Sequence, residues 1–532
     1  MKQRFSPRRH SGLRSISLTP DHRATRAPGI YATIASVRGP ALAFSLLLLA
    51  PLARADSYEL TSDTTTQFYD VRTPTGVTVY TRRRLTTTLG LGAYDLLPRD
   101  GAHGRAPDLF VRARLRYDAD VAQQGGFADP RAVDEFVPGF AHGPFDLMYA
   151  YLEGRRFLKG CLGFRAGRQY TIDPLGFWAF DGALVRVTTP YYIAAEALSG
   201  FEVRGGLPLS SGRWETSGAW RGSRADVDPS LYPSFQPASI APAFGGSLES
   251  IGIGPLHAKL TYRRVYNTGG STLTQFANAL DQARVYDGTR LSHERIGGTI
   301  DASLGDVIAL RSGLVYDAYN AGVMQAHASA DAFVTNSVTL SADYDYYRPA
   351  FDADSIWNFF GGEPMNYLGL RASVDLTKQV SVSSGAYGRL FSINEATTTT
   401  SSLPTWTAYT VAPPNTRPFD GGGQLAANYR KSTLSAGLRG SLNMGDAGHR
   451  VGGDLYADQR IATRHIVSTR LSLYNWEDTV RARGTTSLAY LLGTGYEFSP
   501  KSRVMVELDH AMNSLVGHRF RFMVSLTLAV AP

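Results

Sequence analysis

Asp108–Asp118 reads DLFVRARLRYD. In an extended chain Leu109, Val111, Ala113, Leu115 and Tyr117 fall on one side, and Asp108, Phe110, Arg112, Arg114, Arg116 and Asp118 on the other. A period of two belongs to a strand with one apolar and one polar face. A soluble sandwich would turn the apolar set into its core, and a membrane barrel would turn it toward lipid. The rest of the chain has to decide between them.

The same split recurs. Leu368, Leu370, Ala372, Val374 and Leu376 oppose Gly369, Arg371, Ser373 and Asp375, and Val338, Leu340, Ala342, Tyr344 and Tyr346 oppose Thr339, Ser341, Asp343, Asp345 and Tyr347. Residues 433–442, 468–474, 488–498, 503–510 and 518–530 alternate in the same way. No heptad and no sustained helical stripe competes. From about residue 200 onward, short connections (304–306, 335–337, 376–379, 429–432, 498–502) alternate with long ones (221–246, 266–295, 348–364, 391–419, 475–486). Short periplasmic turns opposite long external loops are the threading of an outer-membrane barrel. Two connections break the rule: 320–323 is short where a long loop is expected, and 117–144 is long where a short turn is. The predicted fold is all-β, a transmembrane antiparallel barrel of about 18–22 strands, with residues 56–532 as its single domain. Only residues 56 to about 75 precede the first convincing strand, too few for the plug of a gated transporter, although part of the segment could extend the barrel wall or dip into the lumen.

The only long apolar run, Ala41–Ala53 (ALAFSLLLLAPLA), is shorter than the ~20 residues of a spanning helix. It follows a basic region and ends in Ala53-Arg54-Ala55, so residues 1–55 read as an N-terminal extension and signal peptide cleaved before Asp56. Val37-Arg38 would make an ordinary leader start, which points to translation from Val37. The formal charge of +8 dissolves with the leader: nine of the 54 basic and one of the 46 acidic residues precede Asp56, leaving 45 of each. A neutral mature chain has no electrostatic footprint for nucleic acid. Cys161 is the single cysteine and has no disulfide partner.

Residues 518–530 resemble the C-terminal strand signal of outer-membrane proteins, which implies outer-membrane lipid and the barrel-assembly machinery as partners. The chain departs from that signal by ending in Val530-Ala531-Pro532 instead of an aromatic residue. A second resemblance lies in LGFRAGRQ (Leu162–Gln169) followed by FDGALV (Phe180–Val185). Porins of the alginate-export type carry a similar "GRQ, then DGxxV" pattern on adjacent strands. The resemblance implies a passive diffusion barrel with Arg165, Arg168 and Asp181 near its wall or constriction, while Asp181-Gly182 also fits a turn after an ordinary strand.

In a barrel the polar set lines the lumen. The expected pore-lining residues are Arg112, Arg114, Arg116, Arg165, Arg168, Asp181, Arg311, Asp343, Asp345, Arg371, Asp375, Arg439 and Arg470. Asp352 and Asp354 join them if the aromatic stretch Tyr344–Phe360 folds over the lumen. Tyr191, Tyr192, Trp214, Trp220, Tyr346 and Tyr347 would suit interfacial girdles. No nucleophile elbow, HExxH, P-loop or CxxC pair marks an enzyme, and no cofactor or metal is expected. The function expected is passive diffusion of small polar or charged solutes, and a structural or surface-interaction barrel is the alternative. N-terminal sequencing of the exported protein is expected to read Asp56-Ser57-Tyr58, and peptides from residues 1–36 in a proteomic digest would overturn the Val37 start.

Overall fold

A computed structural model describes residues 57–97, 107–120, 145–203, 241–268, 274–275, 284–285, 289–319, 321–348, 364–391, 419–445, 448–478 and 483–530. Every regular element among them is a strand. The wall begins with β1 Ser57–Arg72, β2 Thr78–Tyr94, β3 Asp108–Asp120, β4 Phe145–Phe157, β5 Leu162–Asp173 and β6 Gly176–Thr188. It continues through β7 Ile193–Glu202, β8 Pro242–Ser250 and β9 Leu256–Asn267, and a short pair outside the ring follows, β10 Thr274–Gln275 with β11 Arg284–Val285. Next come β12 Arg290–Leu304, β13 Ile308–Asp317, β14 Gly322–Thr335, β15 Val338–Tyr347, β16 Met365–Asp375 and β17 Val380–Phe391. The last strands are β18 Phe419–Lys431, β19 Leu434–Gly445, β20 Gly448–Ile461, β21 His465–Asp478, β22 Arg483–Ser499, β23 Ser502–Asn513 and β24 Gly517–Val530.

Consecutive strands pair antiparallel in a 22-stranded sheet, with β9 pairing β12 and β1 pairing β24. The last pairing runs from Leu60 beside Val530 to Arg72 beside His518 and closes the ring. At ~4.8 Å between strands and a tilt of 35–45°, such a ring of 22 strands is about 45 Å across between backbones. Side chains alone do not fill that bore.

Exposure assigns the faces. Leu368 and Leu370 are 57% and 58% exposed, and Leu340, Leu438, Leu442, Leu471, Leu473, Phe520 and Phe522 are exposed likewise. Exposed leucines on strand after strand form an apolar outer surface, so the arginines that alternate with them turn into the bore. Glycines on the wall are often covered by an aromatic neighbour: a Cβ at Gly437 would meet the ring of Tyr456, and one at Gly369 the ring of Tyr367.

Three expectations need correction. The wall starts before residue 75: of the roles open to that segment, β1 takes that of a full wall strand, and it supplies one edge of the closure. Counting from it, connection 117–144 lies at the same end as the other long connections, so it is no exception to the threading rule. Connection 475–486 is mostly strand, with β21 reaching Asp478 and β22 starting at Arg483. Turn 318–321 stays short at the long-connection end. Both ends of the wall, Ser57 and Val530, lie at the short-turn end.

Among the described residues, 518–530 are the only partner of the second edge of β1, so their deletion is expected to abolish closure. The intact protein should migrate faster unheated than boiled in a detergent gel, and the truncated chain should show one heat-independent band.

Candidate luminal constriction

Gly167, Gly182 and Gly200 stand side by side across β5, β6 and β7. Gly167 has φ +123°, and a Cβ there would lie 2.3 Å from the Ala150 carbonyl oxygen. A Cβ at Gly182 would lie 2.2 Å from the carbonyl oxygen of Ser199. Only glycine permits both that backbone and those approaches. The row acts as a crease along which the β5–β6 hairpin leaves the wall.

Beyond the crease the hairpin folds inward and reaches strands that are not its neighbours in the sheet. Asp173 bonds Arg263 of β9 at 2.7 Å, and a Cβ at Gly297 of β12 would meet the Leu175 side chain. Arg263 shares the face of Val265 and opposes the exposed Leu260, so the contact lies inside the bore. Trp178 and Phe180 stack with centroids 4.4 Å apart and pack with Leu198, Ala241, Ala243 and Val265. A wall exposed to lipid and to a wide bore has no core of its own, so this luminal cluster is the one among the described residues. Trp178 Nε1 donates to Glu202 at 2.9 Å, and the Arg263 guanidinium lies 4.6 Å from the Trp178 ring centre. The side chains of Arg263 and Asp173 are 4% and 6% exposed, so the tip is tethered by a buried ion pair.

The sequence motif around the crease has a mechanical reading. Arg168 donates through Nε and Nη2 to both oxygens of Asp181 at 2.7 Å, and through Nη1 to the Leu147 carbonyl at 3.2 Å. Gln169, fully buried, donates to the Gly182 carbonyl at 2.9 Å. Arg168 and Asp181 therefore clamp β5 to β6 beside the crease. Asp181 and Gly182 sit mid-strand in β6 and form no turn.

Arg112, Arg114 and Arg116 of β3 share the inner face with Tyr149, Tyr151 and Glu153 of β4. Arg114 bonds Asp63 at 2.7 Å, and Arg165 bonds Glu153 at 3.1 Å while lying 4.9 Å from the Tyr151 ring centre. Tyr170, at the folded part of β5, packs on Tyr149. Arg112 is in register with Gly92 of β2 and Tyr151 of β4 on the same face. Under the hairpin, toward the short-turn end, Arg186 bridges Glu196 at 2.6 Å and Glu249 at 2.8 Å, and Lys259 stands 3.7 Å from Glu196. A cavity of about 580 Å³ lies between Arg186, Glu196 and Lys259 on one side and Glu153, Arg165 and Asp173 on the other.

The remaining residues are spread around the ring. Arg311 opposes exposed Leu310 and Leu314, Asp343 and Asp345 alternate with exposed Tyr344, and Arg371 and Asp375 share the face opposite Leu368 and Leu370. Arg371 stands 3.8 Å from Asp343, Arg439 donates to Gln424, and Arg470 is in register with Tyr456. Asp352, Asp354, Trp214 and Trp220 lie outside the described residues, so the aromatic stretch proposed to narrow the lumen is not placed. Tyr191 and Tyr192 occupy the turn between β6 and β7. The residues that do build an inward element, Asp173, Trp178, Glu202 and Arg263, escaped the sequence reading. Their one local signal was Pro174 between two glycine-bearing strands.

No protein-family model and no curated protein matches the chain. Among solved structures it is similar to OccAB4 of Acinetobacter baumannii, with a TM-score of 0.42 and 9% identity over 90% of this chain and 99% of that one. For the outer membrane protein opdK of Pseudomonas aeruginosa the values are 0.39 and 8%, over 90% and 100%. For the P pilus usher (PapC) translocation pore they are 0.40 and 8%, over 88% and 99%. The barrel itself is established by its own strand pairing.

Replacing Asp173 by Ala leaves Arg263 buried without its acid, a loss of about 3–5 kcal/mol in the attachment of the tip. Amide hydrogen exchange across 171–180 is expected to accelerate at least a hundredfold in this variant, with β16–β24 unchanged.

Proposed function

We propose that the chain is an outer-membrane channel through which small polar or charged solutes diffuse passively. The observation that carries the proposal is the inner face: a ring too wide for side chains to fill, bearing arginines and carboxylates that need water around them. The apolar outer surface supports placement in a bilayer, and short turns with both wall ends at one rim support the outer membrane with the long connections outward. The leader cleaved before Asp56, and delivery through the barrel-assembly machinery by β24, belong to the same reading. So does the narrower kinship with porins of the alginate-export type, which rests on the stretches 162–169 and 180–185 alone.

In this reading the folded β5–β6 hairpin narrows the bore, and solutes pass the face formed by Arg112, Arg114, Arg116 and Arg165. Arg311, Asp343, Asp345, Arg371, Asp375, Arg439 and Arg470 line the wider remainder, while Arg168 and Asp181 hold the hairpin's root. On the face that carries Arg112, the guanidinium groups of Arg112, Arg114, Arg116 and Arg165 stand among Glu59, Asp63 and Glu153, with Asp146 in register with Arg116, so both signs of charge meet at the narrow point. The five long connections at one rim favour a second reading, a barrel that binds a partner there without conducting.

Planar-bilayer recording separates the two: stable current steps are expected for the channel, and silence from a barrel that shows heat-modifiable migration would establish the second reading. In a potassium chloride gradient the reversal potential of the wild-type barrel sets the reference. The pair Arg112→Ser and Arg165→Ser should move it toward the cation side.

A further inference from the structure

The outer surface of the wall is charged in few places. One is the seam where β24, β1 and β2 meet. Phe68 and Phe522 stand there exposed and in register, which marks the outward face. Asp70 and Arg72 follow Phe68 at the same period on β1, and Arg83 of β2 is in register with Phe68. All three therefore point away from the bore. Arg83 bonds Asp70 at 2.9 Å, and Arg72 acts on the same carboxylate. The two guanidinium groups thus flank the Asp70 carboxylate on the outward face. Each also rides on a ring, Arg83 at 5.6 Å from the centre of Phe68 and Arg72 at 5.8 Å from that of Phe520. A ring fixes a guanidinium in place without cancelling its charge.

The position is as telling as the charge. Both arginines lie within a few residues of the long-connection end, above an apolar outer face that Phe522, Val524, Leu526 and Leu528 continue along β24. The turns bordering the patch, 73–77 and 514–516, are short, so neither covers it. Their tips expose Val77, Leu515 and Val516.

We infer that this patch binds the phosphate groups of a phosphorylated glycolipid in the outer leaflet. Guanidinium groups recognise phosphate oxygens through paired N–H donors, and the aromatic and aliphatic surface beneath them accepts acyl chains. The inference rests on the outer-membrane placement proposed above but not on conduction.

The test uses the full barrel, folded in detergent free of bacterial lipid and titrated in native mass spectrometry. The probes are a bisphosphorylated, acylated glucosamine disaccharide and its dephosphorylated counterpart. The wild-type protein should retain the first, and the variant carrying Arg72→Ser and Arg83→Ser should bind it about tenfold more weakly. The dephosphorylated lipid should bind both proteins as weakly as the variant binds the phosphorylated one. Equal retention by the variant overturns the inference, as does equal retention of the dephosphorylated lipid, or a lipid-independent dimer that the variant loses. If the double variant shows no heat-modifiable migration, Arg72→Ser alone keeps the Arg83–Asp70 pair and should still lose about threefold. A barrel that binds the phosphorylated lipid without conducting refutes the channel alone, and one that conducts but ignores phosphate refutes this inference alone.

Discussion

Each strand of a wall in hydrocarbon must find backbone hydrogen-bond partners along both edges, because no water is there to supply them. Twenty strands get theirs from sequence neighbours across a turn or loop. The first and last cannot, and β1 and β24 meet across the whole length of the chain to supply each other. Everything else follows from that closure. It removes the free edges, fixes which face of each strand meets lipid, and forces the alternate side chains into a shared interior. Charges on that interior are tolerated for the same reason that they would be prohibitive outside: a wide bore keeps them hydrated.

The glycine crease exploits the closed wall without breaking it. Gly167, Gly182 and Gly200 remain in register across three strands, so the sheet is continuous where it bends. Past the bend the same two strands become an inward element. That element carries the hydrophobic cluster the wall lacks, Trp178 and Phe180 against Leu198 and Val265. The buried Asp173–Arg263 pair contributes direction more than stability, since two desolvated charges gain little net energy over an apolar contact. What they specify is where the tip lands.

Wall strands were legible where their two faces differ. Leu368 and Leu370 against Arg371, or Phe520 and Phe522 against Arg519 and Arg521, give a contrast that only one register satisfies. β1 hid itself because through Leu60–Gln67 (LTSDTTTQ) both of its faces are polar and there is little contrast to read. The crease was legible as a motif and illegible as a shape. A glycine that permits a bend and a glycine that makes a turn have the same neighbours in sequence, so Asp181-Gly182 fitted either. The landing site of the hairpin could not be read at all, because Asp173 and Arg263 lie 90 residues apart and neither residue type in a strand announces a partner.

A ring of this width also separates two jobs that narrower barrels combine. In an eight-stranded barrel, inner side chains fill the bore, so any change in them disturbs the packing of the wall. Here the ring is too wide for inner side chains to fill, most of them meet only cross-strand neighbours, and the wall depends on their chemistry only weakly. Narrowing is delegated to one hairpin with its own core and tether. Arg112, Arg114, Arg116 and Arg165 border that hairpin from strands whose outer faces and hydrogen bonds are set independently. Charge on the wider remainder of the bore, at Arg311 or Arg371, can therefore change with little cost to the fold, whereas Arg116 and Glu153 beside the hairpin are buried, and Gly167, Gly182 and Gly200 admit no side chain, since one at any of them meets backbone.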